Sequence, residues 1–260
     1  MSRGHGEARC VFRRDDPAGC LEIWDEGNIR SLWFDDVILQ SEIDLGDPRH
    51  LPNPVNRAML APLMLNPSLD SILLAGCGGG AIARWLHARA PEITGDAVEL
   101  SAEVARLARE YFEFPPPSSN WRLLLGDVQH QIQVSDRRYD VILVDVAERQ
   151  ATPPWVADAL FLRACRDRLS DPGLLVLNLI AQSVGEAAGA LAEVRRVFTA
   201  GIGLITNPAH DNLLVLAGPE PLPPTPDAQT LATLGRRWGI EFDALGERLR
   251  RIPPARPLGR

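Results

Sequence analysis

A strand that runs straight into a glycine turn constrains this chain more than any other feature. Residues 71–100 read SILLAGCGGGAIARWLHARAPEITGDAVEL. The apolar run 72–75 has the length and composition of a strand buried on both faces, and helical spacing takes over at Ile82, Leu86 and Ala90. Between them lies Gly76-Cys77-Gly78-Gly79-Gly80. Glycine lets the backbone approach a ligand because no side chain stands in the way. The helix start behind the turn offers unpaired N–H groups. A second strand, 93–100, carries Glu99 at its end, where a carboxylate can accept from both hydroxyls of a ribose. The unit points to a nucleoside site.

The same alternation continues downstream. Strands are expected at 72–75, 93–100, 122–126, 141–145, 174–179, 202–206 and 213–217, and helices at 81–90, 102–112, 155–169 and 184–198. Alternating elements of this kind build a mostly parallel, doubly wound α/β sheet. Only residues 207–212 separate the last two strands. Parallel neighbours need about a dozen connecting residues or more, so this pair must be an antiparallel C-terminal hairpin.

Ahead of the main domain, residues 1–20 are polar and arginine-rich and are expected to form a flexible arm. Strand-like runs at 21–24, 29–34 and 37–39, broken at Glu26-Gly27-Asn28 and Asp35-Asp36, predict a small N-terminal β-hairpin domain over 21–54. A proline-rich connector at 47–54 and a helix at 56–65 lead into a domain spanning 55–218. Residues 219–260 read as a proline-rich linker and one weakly amphipathic surface helix over 230–251, rich in arginine.

Composition narrows the function classes. A net charge of −7 with no basic stripe argues against nucleic acid as a partner. No apolar run reaches the ~20 residues of a membrane span, and the first residues lack a secretory core, so the cytoplasm is expected. Cys10, Cys20, Cys77 and Cys165 are scattered, as are His5, His50, His87, His130 and His210, so no metal is expected. Every basic residue is arginine. Without lysine, Schiff-base chemistry and the Gly-Lys-Ser/Thr phosphate loop are both excluded.

Ligands of parallel sheets gather outside the carboxyl ends of the strands. Acids cluster at those ends: Glu99, Asp127 in Leu-Gly-Asp, Asp145 and, three residues on, Glu148. Glu99 suits a ribose, Asp127 an adenine amine, and Asp145 the group leaving the nucleoside. A single acid at such a position is as often a helix cap or turn former. The spacing Gly76-x-Gly78-x-x-Ala81 also satisfies a dinucleotide fingerprint, which leaves an NAD(P)-dependent oxidoreductase as a remote alternative. Trp155 stands in the loop after the Asp145 strand, where an acceptor would enter.

Over residues 21–218 the chain resembles the spermidine synthase-like branch of the class I methyltransferase superfamily. The resemblance is carried by WFDDVILQS at 33–41, LAGCGGG at 74–80, Val98-Glu99-Leu100, Leu125-Gly126-Asp127 and YDVILVD at 139–145. It implies a Rossmann-like methyltransferase fold and a small-molecule adenosyl sulfonium donor, either S-adenosylmethionine or its decarboxylated form. Gly76, Gly78 and Gly80 would flank that donor. Gln40 would lie against its nucleoside, Glu99 would hold the ribose, and Asp127 would hold the adenine. Asp145 matches the carboxylate that helps deprotonate the attacking amine in aminopropyl transfer, with Glu148 and Trp155 toward the acceptor. A homodimer is also implied.

Departures from the pattern lie mostly on the acceptor side. Gly79 stands where the family turn has an acid that pairs with the amine of the decarboxylated donor. Pro54-Val55-Asn56-Arg57 replaces a tyrosine–histidine pair, Glu148 replaces the second acid of Asp-x-x-Asp, and Ser101 replaces an aspartate at a helix start. Aminopropyl transfer to a polyamine or diamine and methyl transfer from S-adenosylmethionine therefore stay open side by side. A non-catalytic nucleoside-binding pseudoenzyme is the alternative from another class.

Overall fold

A computed structural model describes residues 8–16, 19–148, 150–206 and 212–254. It contains two sheets. The first is an antiparallel meander of β1 (Arg9–Asp16), β2 (Gly19–Glu26), β3 (Ile29–Phe34) and β4 (Ile38–Asp44). Leu21, Ile23, Leu32 and Ile43 fill its inner face, as alternation along a half-buried strand requires. The expected arm at 1–20 is thus corrected over Arg9–Asp16, which pairs with β2. Val11 and Phe12 anchor this strand on the core, and the arginines flanking them hide its short apolar signal in the sequence. Residues 1–7 and 17–18 lie outside the described residues.

Two short helices, α1 (Pro54–Met59) and α2 (Pro62–Leu65), replace the single helix expected at 56–65. Pro62 has no N–H to continue the first, but it is well suited to start the second. Asn53 caps α1 by accepting from the N–H groups of Val55 and Asn56 at 2.9 and 3.3 Å.

The main sheet begins with β5 (Ser71–Ala75), α3 (Ala81–Arg89), β6 (Thr94–Glu99), α4 (Ala102–Tyr111) and β7 (Trp121–Leu125). It continues with α5 (Val128–Val134), β8 (Tyr139–Val144), α6 (Ala159–Arg168), β9 (Leu169–Ile180) and α7 (Val184–Val197). The antiparallel pair β10 (Ile202–Thr206) and β11 (Asn212–Ala217) follows, as the short connection predicts. Then come α8 (Ala228–Trp238), α9 (Phe242–Arg248) and β12 (Arg250–Ile252). The order across the sheet is β12-β10-β11-β9-β8-β5-β6-β7.

Strands β7, β6, β5, β8 and β9 are parallel, and β11 runs antiparallel to both β9 and β10. Alternate residues of the central strands enter opposite cores. Leu74, Leu143 and Val176 face one, whereas Leu73, Ile142 and Leu177 face the other. Both faces are covered, so these strands read as unbroken apolar runs.

Several expected boundaries are corrected. The helix at 155–169 is a 3-10 turn (Pro154–Ala157) followed by α6, because Asp158 caps the new helix through Leu160 N–H at 2.7 Å. The helix α5, with only Val128 and Ile132 buried, shows too little apolar periodicity to be read from sequence. The C-terminal helix at 230–251 is α8, α9 and β12. Gly239, left-handed at φ 67°, ends α8, and β12 joins the sheet edge beside β10.

One buried acid belongs to this scaffold. Asp96 on β6 is fully buried, and it accepts from Arg122 at 2.6 and 2.7 Å, from Arg137 at 3.0 Å and from the Tyr139 hydroxyl at 2.7 Å. Burial pushes its carboxyl up, but these donors more than offset that and hold it below its ordinary value. No helix among the described residues is long and apolar enough to cross a membrane.

Candidate active site

The chain enters the main sheet at β5, builds outward to β7, and returns to β8 on the other side. This reversal opens a crevice above the carboxyl ends of β5 and β8. The glycine turn leaves β5 there, and Asp145 leaves β8 beside it. The two are packed so closely that a Cβ on Gly76, which is left-handed at φ 90°, would sit 2.2 Å from the Asp145 carbonyl oxygen. Gly78 meets the N-terminal sheet in the same way. Its φ is 52°, and a Cβ there would lie 3.0 Å from the Gln40 carbonyl oxygen on β4. The small domain therefore forms one wall of the crevice.

Glu99, at the end of β6, supports the turn from the other side. One of its carboxylate oxygens accepts from the N–H groups of Cys77 and Gly78 at 3.2 and 3.1 Å, and the other from Ser101 N–H at 2.9 Å. Burial raises its pKa in spite of these donors. A carboxylate offers about four acceptor directions, so room remains for a hydroxyl. Asp127 is exposed and caps α5, with one oxygen 2.8 Å from Gln129 N–H.

A cavity of about 1070 Å³ opens from the turn toward β9 and β11. Of the residues singled out in the sequence, Gln40, Gly76, Gly78 and Asp145 line it. Gly80 starts α3, left-handed at φ 80°, and Glu99 and Asp127 lie outside the cavity wall. Glu148 and Trp155, expected toward the acceptor, lie outside the cavity wall. Glu148 is exposed and engaged in a backbone bridge with Ala151, while Trp155 packs edge-on against Phe161 with ring centroids 5.0 Å apart.

Asp145 has a partner that the sequence reading missed. Asn178 on β9 is only 4% exposed, and its Nδ2 donates to an Asp145 oxygen at 2.7 Å. Asn212, at the start of β11, donates in turn to the Asn178 Oδ1 at 2.8 Å. Burial pushes the Asp145 carboxyl above its ordinary value, and the Asn178 bond offsets part of that rise. Asn178 did leave a signal, as the polar residue within the apolar run LLVLNL at 174–179.

Position 79 is crowded. A Cβ there would come within 2.8 Å of both the Phe112 ring and the Ser41 Oγ. Among the described residues no group of three or more His, Cys, Asp or Glu is disposed to hold a metal ion.

Residues 72–173 match a family described as methyltransferase domain. A polyamine aminopropyltransferase of Neisseria meningitidis is 34% identical over 176 residues, covering 66% of this chain and 67% of that protein. The chain belongs to the polyamine aminopropyltransferase family. It is thus a spermidine synthase-like transferase on a class I methyltransferase fold. A crystal structure of a probable spermidine synthase from Corynebacterium glutamicum shares the fold, with a TM-score of 0.76, 19% identity, and coverage of 94% of this chain and 90% of that one. A methyltransferase is also among the relatives. The human eEF1A lysine and N-terminal methyltransferase is 28% identical over 211 residues, covering 70% of this chain and 30% of that protein. Relatives of both kinds imply an adenosyl-type donor, and they replace the dinucleotide reading of the glycine turn.

Proposed function

We propose that this chain binds S-adenosylmethionine at the glycine turn and transfers its methyl group to an amine held at Asp145. The observation that carries this reading is the junction of Gly76 with Asp145, which joins the turn to a cavity with a carboxylate in its wall. Glu99 would hold the ribose through its remaining acceptor capacity, and Asp127 the adenine edge through the oxygen not used in capping. The donor supplies a carbon bound to a positively charged sulfur. The amine nitrogen uses its lone pair to bond to that carbon, and the C–S bond breaks with its electron pair going to sulfur, leaving a neutral thioether.

An ammonium has no lone pair, so the proton must leave before attack. Asp145 is built to take it. A carboxyl raised by burial is a stronger base than an exposed one, and a bond to Asn178 keeps it oriented. Alignment of amine, carbon and sulfur supplies much of the remaining acceleration.

The choice of methyl over aminopropyl rests on position 79. No acid stands there to pair with the amine of a decarboxylated donor, and Ser41 and Phe112 fill the space that one would need. Aminopropyl transfer is the second reading, supported by the relative at 34% identity. Incubating the protein with an amine and either donor, then identifying the nucleoside product by mass spectrometry, separates the two. S-adenosylhomocysteine supports methyl transfer, methylthioadenosine supports aminopropyl transfer, and neither product rejects both.

A further inference from the structure

Two parts of the fold that are distant in sequence meet at the glycine turn. Ser41, on β4 of the small sheet, is only 4% exposed and lines the cavity. Its side chain lies against the turn. A Cβ at Gly79 would stand 2.8 Å from the Ser41 Oγ, and one at Gly78 would stand 3.8 Å from the Ser41 Cβ. A side chain at position 79 would therefore displace either this hydroxyl or the Phe112 ring, which lies just as close. Gly79 and Ser41 form a matched pair, in which the missing side chain of one leaves room for the hydroxyl of the other.

The hydroxyl is placed beside a helix start. Gly79 precedes Gly80, the left-handed N-cap of α3, and Ala81 and Ile82 of the first turn line the same cavity. Glu99 takes the N–H groups of Cys77 and Gly78 from beneath the turn. The N–H groups that begin α3 are different. They have no partner within the helix, they carry the positive end of its dipole, and Gly80 has no side chain with which to cap them. Among the described residues the Ser41 hydroxyl likewise has no hydrogen-bond partner. A hydroxyl that can donate, set beside donating N–H groups, favours an anion over a cation at this corner.

We infer that Ser41 is a donor-binding residue, whose hydroxyl joins the N–H groups at the start of α3 in holding the carboxylate at the amino-acid end of S-adenosylmethionine. The inference rests on the reading of the glycine turn as the donor site, and it names the contact by which that site tells the donor from its decarboxylated form. Selectivity then has two sources at one seam. The main sheet withholds an acid at position 79, and the small sheet supplies a hydroxyl in the space so left. A carboxylate gains a charge-assisted hydrogen bond there, and a decarboxylated chain has no group to make it.

The test is calorimetry with three thioether nucleosides: S-adenosylhomocysteine, its decarboxylated form, which keeps the amine, and methylthioadenosine, which lacks both amine and carboxylate. Ser41→Ala should weaken S-adenosylhomocysteine about tenfold or more, as loss of a hydrogen bond to a charged group does. It should leave the other two affinities unchanged. Ser41→Cys, close in size but a much weaker donor, should show the same pattern and serves should the alanine variant fail to fold. A purely structural role for Ser41 at the seam would weaken all three ligands alike, and that result overturns the inference, as does no change with any of them. The natural protein separates this failure from that of the donor site. If methylthioadenosine binds and the three ligands respond alike to substitution, the nucleoside reading stands and the role of Ser41 falls. If none of the three binds, both fall.

Discussion

At the scale of single residues, Asp145 sets a conflict between stability and chemistry. In the unfolded chain it titrates as an ordinary aspartate, but in the folded protein burial raises its pKa. Between those two values the folded state binds more protons than the unfolded state. The Asp145 contribution to stability is therefore fully present below the unfolded pKa and is lost as pH rises through the folded one. Asp145→Asn removes that loss. Its melting temperature relative to the natural protein should rise as the pH is raised from the ordinary aspartate value, followed by thermal unfolding over a pH series. An unchanged difference would show that the carboxylate is not held in a desolvated site. The same variant should keep its donor affinity and lose on the order of a hundredfold or more in turnover. Glu99→Gln should instead weaken donor binding by roughly tenfold to a hundredfold, the range for a hydrogen bond to a charged group. Calorimetry with S-adenosylhomocysteine measures it.

At the scale of elements, the glycine turn is dictated by what surrounds it. Gly76→Ala would force a Cβ into the Asp145 carbonyl oxygen from a left-handed backbone, and should cost about 2 kcal/mol or more of stability in denaturant unfolding. The turn was legible in the sequence because glycines follow an apolar strand there, and the antiparallel β10–β11 pair was legible because six residues cannot cross a sheet. Elements held by tertiary contact were harder to read. β1 has an apolar pair set among arginines, α5 is seven residues long with two of them buried, and β12 is three residues joined to an edge. The site divided along the same line. Gln40, Gly76, Gly78 and Asp145 belong to local patterns that survive in sequence. The Asp145–Asn178–Asn212 row crosses three strands and exists only once the sheet is assembled. The position of Trp155 after a strand end says nothing about the direction of its ring, which packs edge-on against Phe161.

At the scale of the whole molecule, the two sheets meet at the crevice, with the small sheet closing it through Gln40 and Ser41 and the large sheet supplying the turn and Asp145. This division lets one frame keep its nucleoside side while its acceptor side changes. Gly79 lies at the seam, crowded by Ser41 from the small sheet and by Phe112 from just beyond α4. The most direct test of the donor reading is thermal unfolding with S-adenosylmethionine, S-adenosylhomocysteine, decarboxylated S-adenosylmethionine and methylthioadenosine at equal concentrations. A ligand that binds only the folded state raises the melting temperature, and at equal concentration the tighter binder raises it more. Larger shifts with the two carboxylate-bearing compounds are the expected result. Larger shifts with the decarboxylated donor and methylthioadenosine would contradict methyl transfer, and no shift with any of the four would contradict the nucleoside site itself.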